Sequence, residues 1–277
     1  MIQFPNAKIN LGLCITGKRP DGFHNLETLF LPVSLRDALE VLPDLYPEKG
    51  RKMSMEVSGV NLSGDPEQNL VVKAYRLLDQ KFDLPPVKVW LHKVIPTGAG
   101  LGGGSSDAAF MLRILNELFM LNLQKTDLLS LAATLGSDCA FFIENRPSLG
   151  FGRGEILKPA AFPDQRIYPV IIKPEINIST ADAFRMIQPV KPVIPIQEAI
   201  LEPITKWKDT LFNDFEKTIF PQYPFIENIK KRLYELGAMY AAMTGSGSAV
   251  FGLFREPAEI QNQFPGCFVW QAETPHW

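Results

Sequence analysis

Five of the seven residues from Gly98 to Gly104 are glycine, and this run constrains the chain more than any other feature. Ahead of it lies Val87 to Val94 (VKVWLHKV), whose strict alternation predicts a strand. Behind it lies Asp107 to Met120 (DAAFMLRILNELFM), whose Ala and Leu content predicts a helix, with Ser105, Ser106 and Asp107 supplying cap and first-turn chemistry. Glycine lets a backbone approach a ligand closely and reach positive φ. A helix start aims unpaired N–H groups and a positive dipole end at that ligand. The segment Pro96, Thr97, Gly98, Ala99, Gly100, Leu101, Gly102, Gly103, Gly104, Ser105, Ser106 therefore reads as a phosphate cradle. A flexible linker is the weaker reading, because a linker has no need of so many glycines at such a junction. Two named motifs are excluded. No Lys follows the glycines, as a Walker A loop requires. Gly98, Gly100 and Gly103 fit G-x-G-x-x-G by letter, but one long helix follows where a dinucleotide fold places a second strand and an acid about 20 residues on.

A chain of 277 residues with 46% hydrophobic content can bury a sizeable core and divide into two domains. The composition shifts near Pro159, where Pro159, Pro163, Pro169 and Pro174 interrupt the chain. The expected division is residues 1–158, carrying the glycine-rich loop, and residues 159–277. Lys and Arg number 28 and Asp and Glu 30, a formal charge of −2 without a run of five like charges. That excludes a nucleic-acid or membrane-surface footprint, which needs clustered basic excess, and leaves room for a small anionic substrate. Three widely spaced cysteines, Cys14, Cys139 and Cys267, form no CxxC and fit reduced thiols rather than a zinc site or disulfide framework. No uncharged apolar stretch reaches the roughly 18 residues that span a bilayer, and the N-terminus has no signal-peptide pattern, so a cytoplasmic protein is expected.

Further elements follow from pattern. Ala7 to Thr16, Asp37 to Leu42, Met53 to Val57 and Tyr168 to Lys173 read as strands, and Lys18 to His24 carries Pro-Asp-Gly turn chemistry. Asn69 to Phe82, Thr126 to Leu135, Ser179 to Ile187 and Phe225 to Leu236 read as helices, and Ala238 to Phe254 as strand, Gly-Ser-Gly-Ser turn, strand. The irregular alternation predicts an α+β fold rather than a doubly wound parallel sheet.

Phosphoryl transfer needs a phosphate cradle, a cation near the moving group and a carboxylate near the attacking hydroxyl. Lys8 opens an otherwise apolar strand, and Asp138 sits in Gly-Ser-Asp just before the apolar run CAFFI. A charge beside such a run is paired or functional, because burying it alone is costly. Taken alone, Asp138 reads as a helix cap and Lys8 as a surface charge; the glycine-rich loop together with the resemblance given below shifts both toward catalysis. No cluster of His, Cys and carboxylates has metal-ligand spacing, so no protein metal site is expected and Mg²⁺ would arrive with ATP.

Three blocks carry a resemblance: NAKINLGLCITGKRPDGFHNLETLF (6–30), PTGAGLGGGSSDAAFML (96–112) with GSDCAFFI (136–143), and AAMTGSGSAVFGLF (241–254). The chain resembles the GHMP kinases. Asp-Gly-Phe-His after the Lys8 strand is similar to the branch that phosphorylates the 2-hydroxyl of 4-diphosphocytidyl-2-C-methylerythritol, a small-molecule substrate. The resemblance implies a two-domain GHMP kinase fold with an ATP and substrate cleft between domains. It also implies Lys8 and Asp138 as the catalytic pair, and Asn10, Phe23, His24, Thr180 and Phe184 at substrate-binding positions. Phe23 and Phe184 would sandwich the cytosine and His24 would read its edge. Gly245, Ser246, Gly247 and Ser248 form the third glycine motif. Two departures stand out: Phe at position 23, where Tyr is usual, keeps the stacking face but loses a hydroxyl, and Gly-Ser-Asp-Cys-Ala replaces Gly-Ala-Asp-Val-Pro around Asp138.

Overall fold

The computed structural model describes residues 1–62, 64–162, 166–274 and 276; Pro163 lies outside the described residues. In chain order the strands are β1 (Ile2–Gln3), β2 (Asn6–Lys18), β3 (His24–Arg36), β4 (Ala38–Pro43), β5 (Met53–Gly59), β6 (Val87–Lys93), β7 (Ser148–Phe151), β8 (Ile156–Pro159), β9 (Tyr168–Pro174), β10 (Tyr240–Met243), β11 (Val250–Phe254) and β12 (Cys267–Gln271). The helices are α1 (Leu70–Phe82), α2 (Gly103–Leu118), α3 (Lys125–Leu135), α4 (Cys139–Glu144), α5 (Thr180–Arg185), α6 (Ile196–Ala199), α7 (Trp207–Thr210), α8 (Glu216–Ile219) and α9 (Pro224–Glu235). The mixture of helix-covered and antiparallel sheets is α+β, as expected.

Packing divides the chain into two compact units: Met1–Ala7 with Leu35–Thr97 and Gly102–Asn145, and Lys8–Ser34 with Gly98–Leu101 and Arg146–Trp277. This partition by contact differs from a partition by chain order at residue 158. The first unit holds the sheet β1-β4-β6-β5, with β5 parallel to β6 and the other pairs antiparallel. A parallel pair needs a crossover, and α1 supplies it between β5 and β6. Asn69 starts α1 by accepting from the Val71 N–H at 2.9 Å, the capping role its side chain suits. α2 packs against α1, α3, α4 and β4. The alternation of β6 sends Val87, Val89, Leu91 and also Lys93 to the buried side.

The second unit holds two antiparallel arrangements. One sheet runs β10-β11-β9-β12 with α9 against β10 and β11, and the other runs β2-β3-β7-β8. The Pro-Asp-Gly turn links β2 to β3, closed by the Arg19 N–H on the Phe23 carbonyl at 2.8 Å. Ten consecutive residues of β2, Asn6 to Ile15, are buried, so this strand is covered on both faces rather than half-solvated.

One boundary moved. α2 begins at Gly103, four residues before the expected start, because Gly102 with φ +71° ends the loop and its carbonyl accepts from the Ser106 N–H at 2.9 Å. The two serines therefore lie inside the first turn instead of capping it. Among the described residues, no helix is long and apolar enough to cross a membrane.

Trp207 is fully buried in the second unit, with its ring 5.9 Å from Phe162 and 6.1 Å from Tyr240 and its indole N–H on the Glu202 carbonyl at 2.9 Å. Trp207→Ala removes the filler of that cluster and should cost about 3–5 kcal/mol in urea unfolding.

Candidate active site

The first unit holds the exit of the glycine-rich loop, the start of α2, and Asp138. The first N–H groups of any helix lack intrahelical partners, and here Gly103, Gly104 and Ser105 occupy those positions. The Ser106 hydroxyl is buried without a hydrogen-bond partner. Beside this helix start lies a cavity of about 420 Å³, lined among others by Asn61, Asn69, Lys93, Thr97, Gly104 and Asp107. That volume suits a small ligand. Pro96 and Thr97 lead into the loop, with Thr97 exposed. Asp138 is half-buried at the N-cap position of α4, without a side-chain capping hydrogen bond. The neighbouring Cys139 thiol is pushed up to about 12 by burial, so it stays protonated and acts as a small core residue.

The second unit holds Lys8, Asn10, the loop tip and the third glycine motif. The Lys8 ammonium is 2% exposed and donates to Asn10 Oδ1 at 2.6 Å and to the Gly100 carbonyl at 2.9 Å. Its backbone N–H reaches the Leu101 carbonyl at 2.9 Å. Asn10 Nδ2 in turn donates to Thr28 Oγ1 at 3.0 Å, and the Asn10 N–H to Thr244 Oγ1 at 3.1 Å. Asn10 is thus an internal brace for the lysine, not an exposed contact. The loop tip meets the third motif backbone to backbone. A Cβ on Gly100 (φ +74°) would fall 2.0 Å from the Thr244 carbonyl oxygen, and one on Gly245 would fall 3.0 Å from Gly100 Cα. Only glycine fits at both places. Ala99 accepts from the Ala249 N–H at 3.3 Å, and Gly98 at the tip is exposed. Asn213 fixes the motif from below, donating to the Met243 carbonyl at 2.7 Å and the Gly245 carbonyl at 2.8 Å. The buried Ser248 hydroxyl donates to the Ile176 carbonyl, and the Gly247 N–H to the Thr244 carbonyl at 3.0 Å.

The same unit carries the aromatic positions. His24, rather than Phe23, is the ring stacked on Phe184, with centroids 5.2 Å apart and planes at 22°. Phe184 also meets Phe215 edge-on at 4.9 Å. Phe23 is 52% exposed and carries the Arg153 guanidinium over one face at 4.9 Å. Burial, with a smaller push from Lys18, holds the His24 imidazole below its usual range, which favours the neutral ring. Thr180 Oγ1 lies 3.1 Å from Ser246 Oγ, joining the start of α5 to the third motif.

Comparison with known proteins decides the family. The description "GHMP kinases N terminal domain" matches residues 69–146, and "GHMP kinases C terminal" matches residues 198–268. The chain is 54% identical over 274 residues to a 4-diphosphocytidyl-2-C-methyl-D-erythritol kinase of Bacteroides fragilis strain YCH46, covering 99% of each chain. It is 56% identical over 254 residues to the enzyme of that name from Bacteroides thetaiotaomicron, covering 92% of each. It superposes on the crystal structure of a 4-(cytidine 5'-diphospho)-2C-methyl-D-erythritol kinase with TM-score 0.82 and 32% identity, covering 98% of each chain. The chain belongs to the GHMP kinases.

Within this GHMP kinase, sequence reasoning located the loop, Lys8 and the third motif but missed Thr28, Asn213 and Thr244. Thr28 and Asn213 are common polar residues with no local pattern around them, Thr244 stands just ahead of the third motif without being singled out, and all three find partners 16 to 234 positions away in the chain. The cavity beside α1 was missed for the same reason. Gly100→Ala should destabilise the protein by more than about 1 kcal/mol, because alanine is strained at this φ and its methyl meets the Thr244 carbonyl. Equilibrium urea unfolding measures the loss, and nucleotide titration should show weakened binding in the same variant.

Proposed function

We propose that this chain transfers the γ-phosphate of ATP to the 2-hydroxyl of 4-diphosphocytidyl-2-C-methyl-D-erythritol, a step toward isoprenoid precursors outside the mevalonate route. The observation that carries the reading is the buried Lys8 ammonium donating to the Gly100 carbonyl, which stations a cation at the tip of a glycine-rich loop. The named relatives at 54% and 56% identity support the choice of acceptor.

The acceptor oxygen attacks the γ-phosphorus, the bond from that phosphorus to the β–γ bridging oxygen breaks, and ADP leaves with the electron pair. Asp138 orients the hydroxyl and takes its proton. Lys8, held by Asn10 and Gly100, offers positive charge to the oxygens that gain negative charge during transfer. Gly98 to Ser106 hold the phosphates through backbone N–H groups at the α2 start, where the buried, partnerless Ser106 hydroxyl fits an added acceptor. Mg²⁺ would arrive with ATP and supply part of the positive charge that neutralises its phosphates. Among the described residues, no group of three or more His, Cys, Asp or Glu could hold it alone.

Specificity rests on the face of the second unit that carries Phe23, His24, Thr180 and Phe184. Two aromatic faces at Phe23 and Phe184 supply stacking worth about 1–3 kcal/mol per base. A base that takes the face of Phe184 covered by His24 displaces the imidazole, which then becomes available to the edge of the ring. Edge hydrogen bonds are what separate cytosine from uracil, since a mismatch leaves buried polar groups unpaired. The chain-order domains, 1–158 and 159–277, belong to the same proposal as the N- and C-terminal halves of the kinase.

A coupled ADP-release assay with the cytidylyl substrate beside homoserine and mevalonate tests the reading. Turnover should appear with the cytidylyl substrate alone. Asp138→Asn should lower kcat by about 10²–10⁴-fold while nucleotide binding is kept. Equal turnover on homoserine, or a fully active Asp138→Asn protein, contradicts it.

A further inference from the structure

We propose that the buried cluster Asp37–Lys93–Asp107 is a positioning device for the nucleotide site, tying the strand that enters the glycine-rich loop to the helix that leaves it, and that its charge sets nucleotide affinity. The inference rests on the reading of that loop as an ATP cradle.

The alternation of β6 carries Lys93 to the core side, where it is 3% exposed beside Val87, Val89 and Leu91. Its ammonium donates to Asp107 Oδ2 at 2.7 Å and also to Asp37 Oδ2. Asp37 Oδ1 accepts from the Val94 N–H at 2.6 Å and the Ile95 N–H at 2.8 Å, so this carboxylate grips the backbone just ahead of Pro96. Asp107 is the fifth residue of α2, just past the two serines of the first turn. A Cβ on Gly103 would fall 3.3 Å from Lys93 Nζ, which puts the ammonium against the first residue of the helix. One cluster therefore holds both ends of the loop. Lys93 and Asp107 also line the 420 Å³ cavity.

Stability alone does not account for such a group. A buried ion pair is often no more stabilising than apolar residues of the same volume. Here, moreover, Asp107 Oδ1 is buried with no hydrogen-bond partner, a cost that a purely structural device would have no reason to carry. Two carboxyls share one ammonium, so the cluster is −1 with both ionised and neutral with one proton bound. Burial raises the Asp107 carboxyl to about 7; Lys93 pulls it down and Asp37 pushes it up again. Burial alone would lower Lys93, but Asp107 and Asp37 outweigh it and hold the lysine charged. Of the elements packed on α2, the charges acting on Asp107 are Lys93 from β6 and Asp37 from just ahead of β4; α1, α3 and α4 contribute none of those charges among the described residues. Nucleotide phosphates are anionic. They bind best to the neutral cluster, so affinity is highest below about pH 7 and falls as Asp107 ionises above it.

The test is calorimetric titration of a non-hydrolysable ATP analogue with Mg²⁺ between pH 6 and pH 8. The comparison is wild type against Asp107→Asn, which keeps an oxygen for Lys93 and cannot ionise. Titration of the nucleotide's own phosphates is common to both proteins and cancels. Wild-type affinity should fall about three- to tenfold more than that of Asp107→Asn, the range for a half-unit to one-unit displacement of a coupled pKa. Asp107→Ala, which cuts the tether, should raise KM for ATP at every pH with a smaller change in kcat. The same pH dependence in wild type and Asp107→Asn overturns the inference while leaving the ATP reading intact. Absence of nucleotide binding by wild type overturns both.

Discussion

A lysine ammonium buried to 2% exposure must exchange water for other oxygens, and Lys8 finds them in Asn10 Oδ1 and the Gly100 carbonyl. Charge-assisted hydrogen bonds of this kind are roughly twice as strong as neutral ones, so the loop tip is drawn to β2 wherever β2 goes. The rest of the second unit's site is arranged around that contact. Asn10 is held by Thr28 and Thr244; Thr244 offers its carbonyl against Gly100 and a hydroxyl to the Gly100 carbonyl at 3.1 Å; Asn213 keeps the following Gly245 in place. Removing the ammonium would leave the Asn10 and Gly100 oxygens without their strongest donor. The proposed chemistry and the local architecture therefore depend on the same atom.

The first unit solves a related problem differently. Lys93 also points inward from a strand, but two carboxylates meet it, and one of them holds the backbone at Val94 and Ile95. Lys8 donates to the Asn10 side-chain oxygen and to the Gly100 carbonyl. Lys93 is surrounded by acids that cancel it.

Much of this was legible in the sequence where the signal is local. The glycine density from Gly98 to Gly104, the alternation of Val87 to Val94 and the helical spacing of Asn69 to Phe82 each express a short-range backbone requirement, and a loop, a strand and a helix form at those places. The start of α2 was misjudged because glycines are poor helix formers; the first turn holds them where the neighbours crowd it, a Cβ on Gly103 falling 2.9 Å from Ile95 Cγ2. The buried cluster had a readable signal that was passed over: an alternating strand that puts Val87, Val89 and Leu91 inside must also put Lys93 inside. Its partners Asp37 and Asp107 lie 56 and 14 positions away and carry no such mark. The pairing of His24 with Phe184 was equally hidden, because it joins β3 to α5 through tertiary packing alone.

The most direct test of the central claim follows phosphorus itself. Incubating the protein with Mg²⁺-ATP and 4-diphosphocytidyl-2-C-methyl-D-erythritol and recording ³¹P spectra reports where the γ-phosphate goes. A new phosphomonoester resonance growing as ATP becomes ADP, with the diphosphate resonances of the acceptor retained, is the result predicted here. ATP converted to ADP and inorganic phosphate alone, or ATP left unchanged beside an intact acceptor, would contradict it.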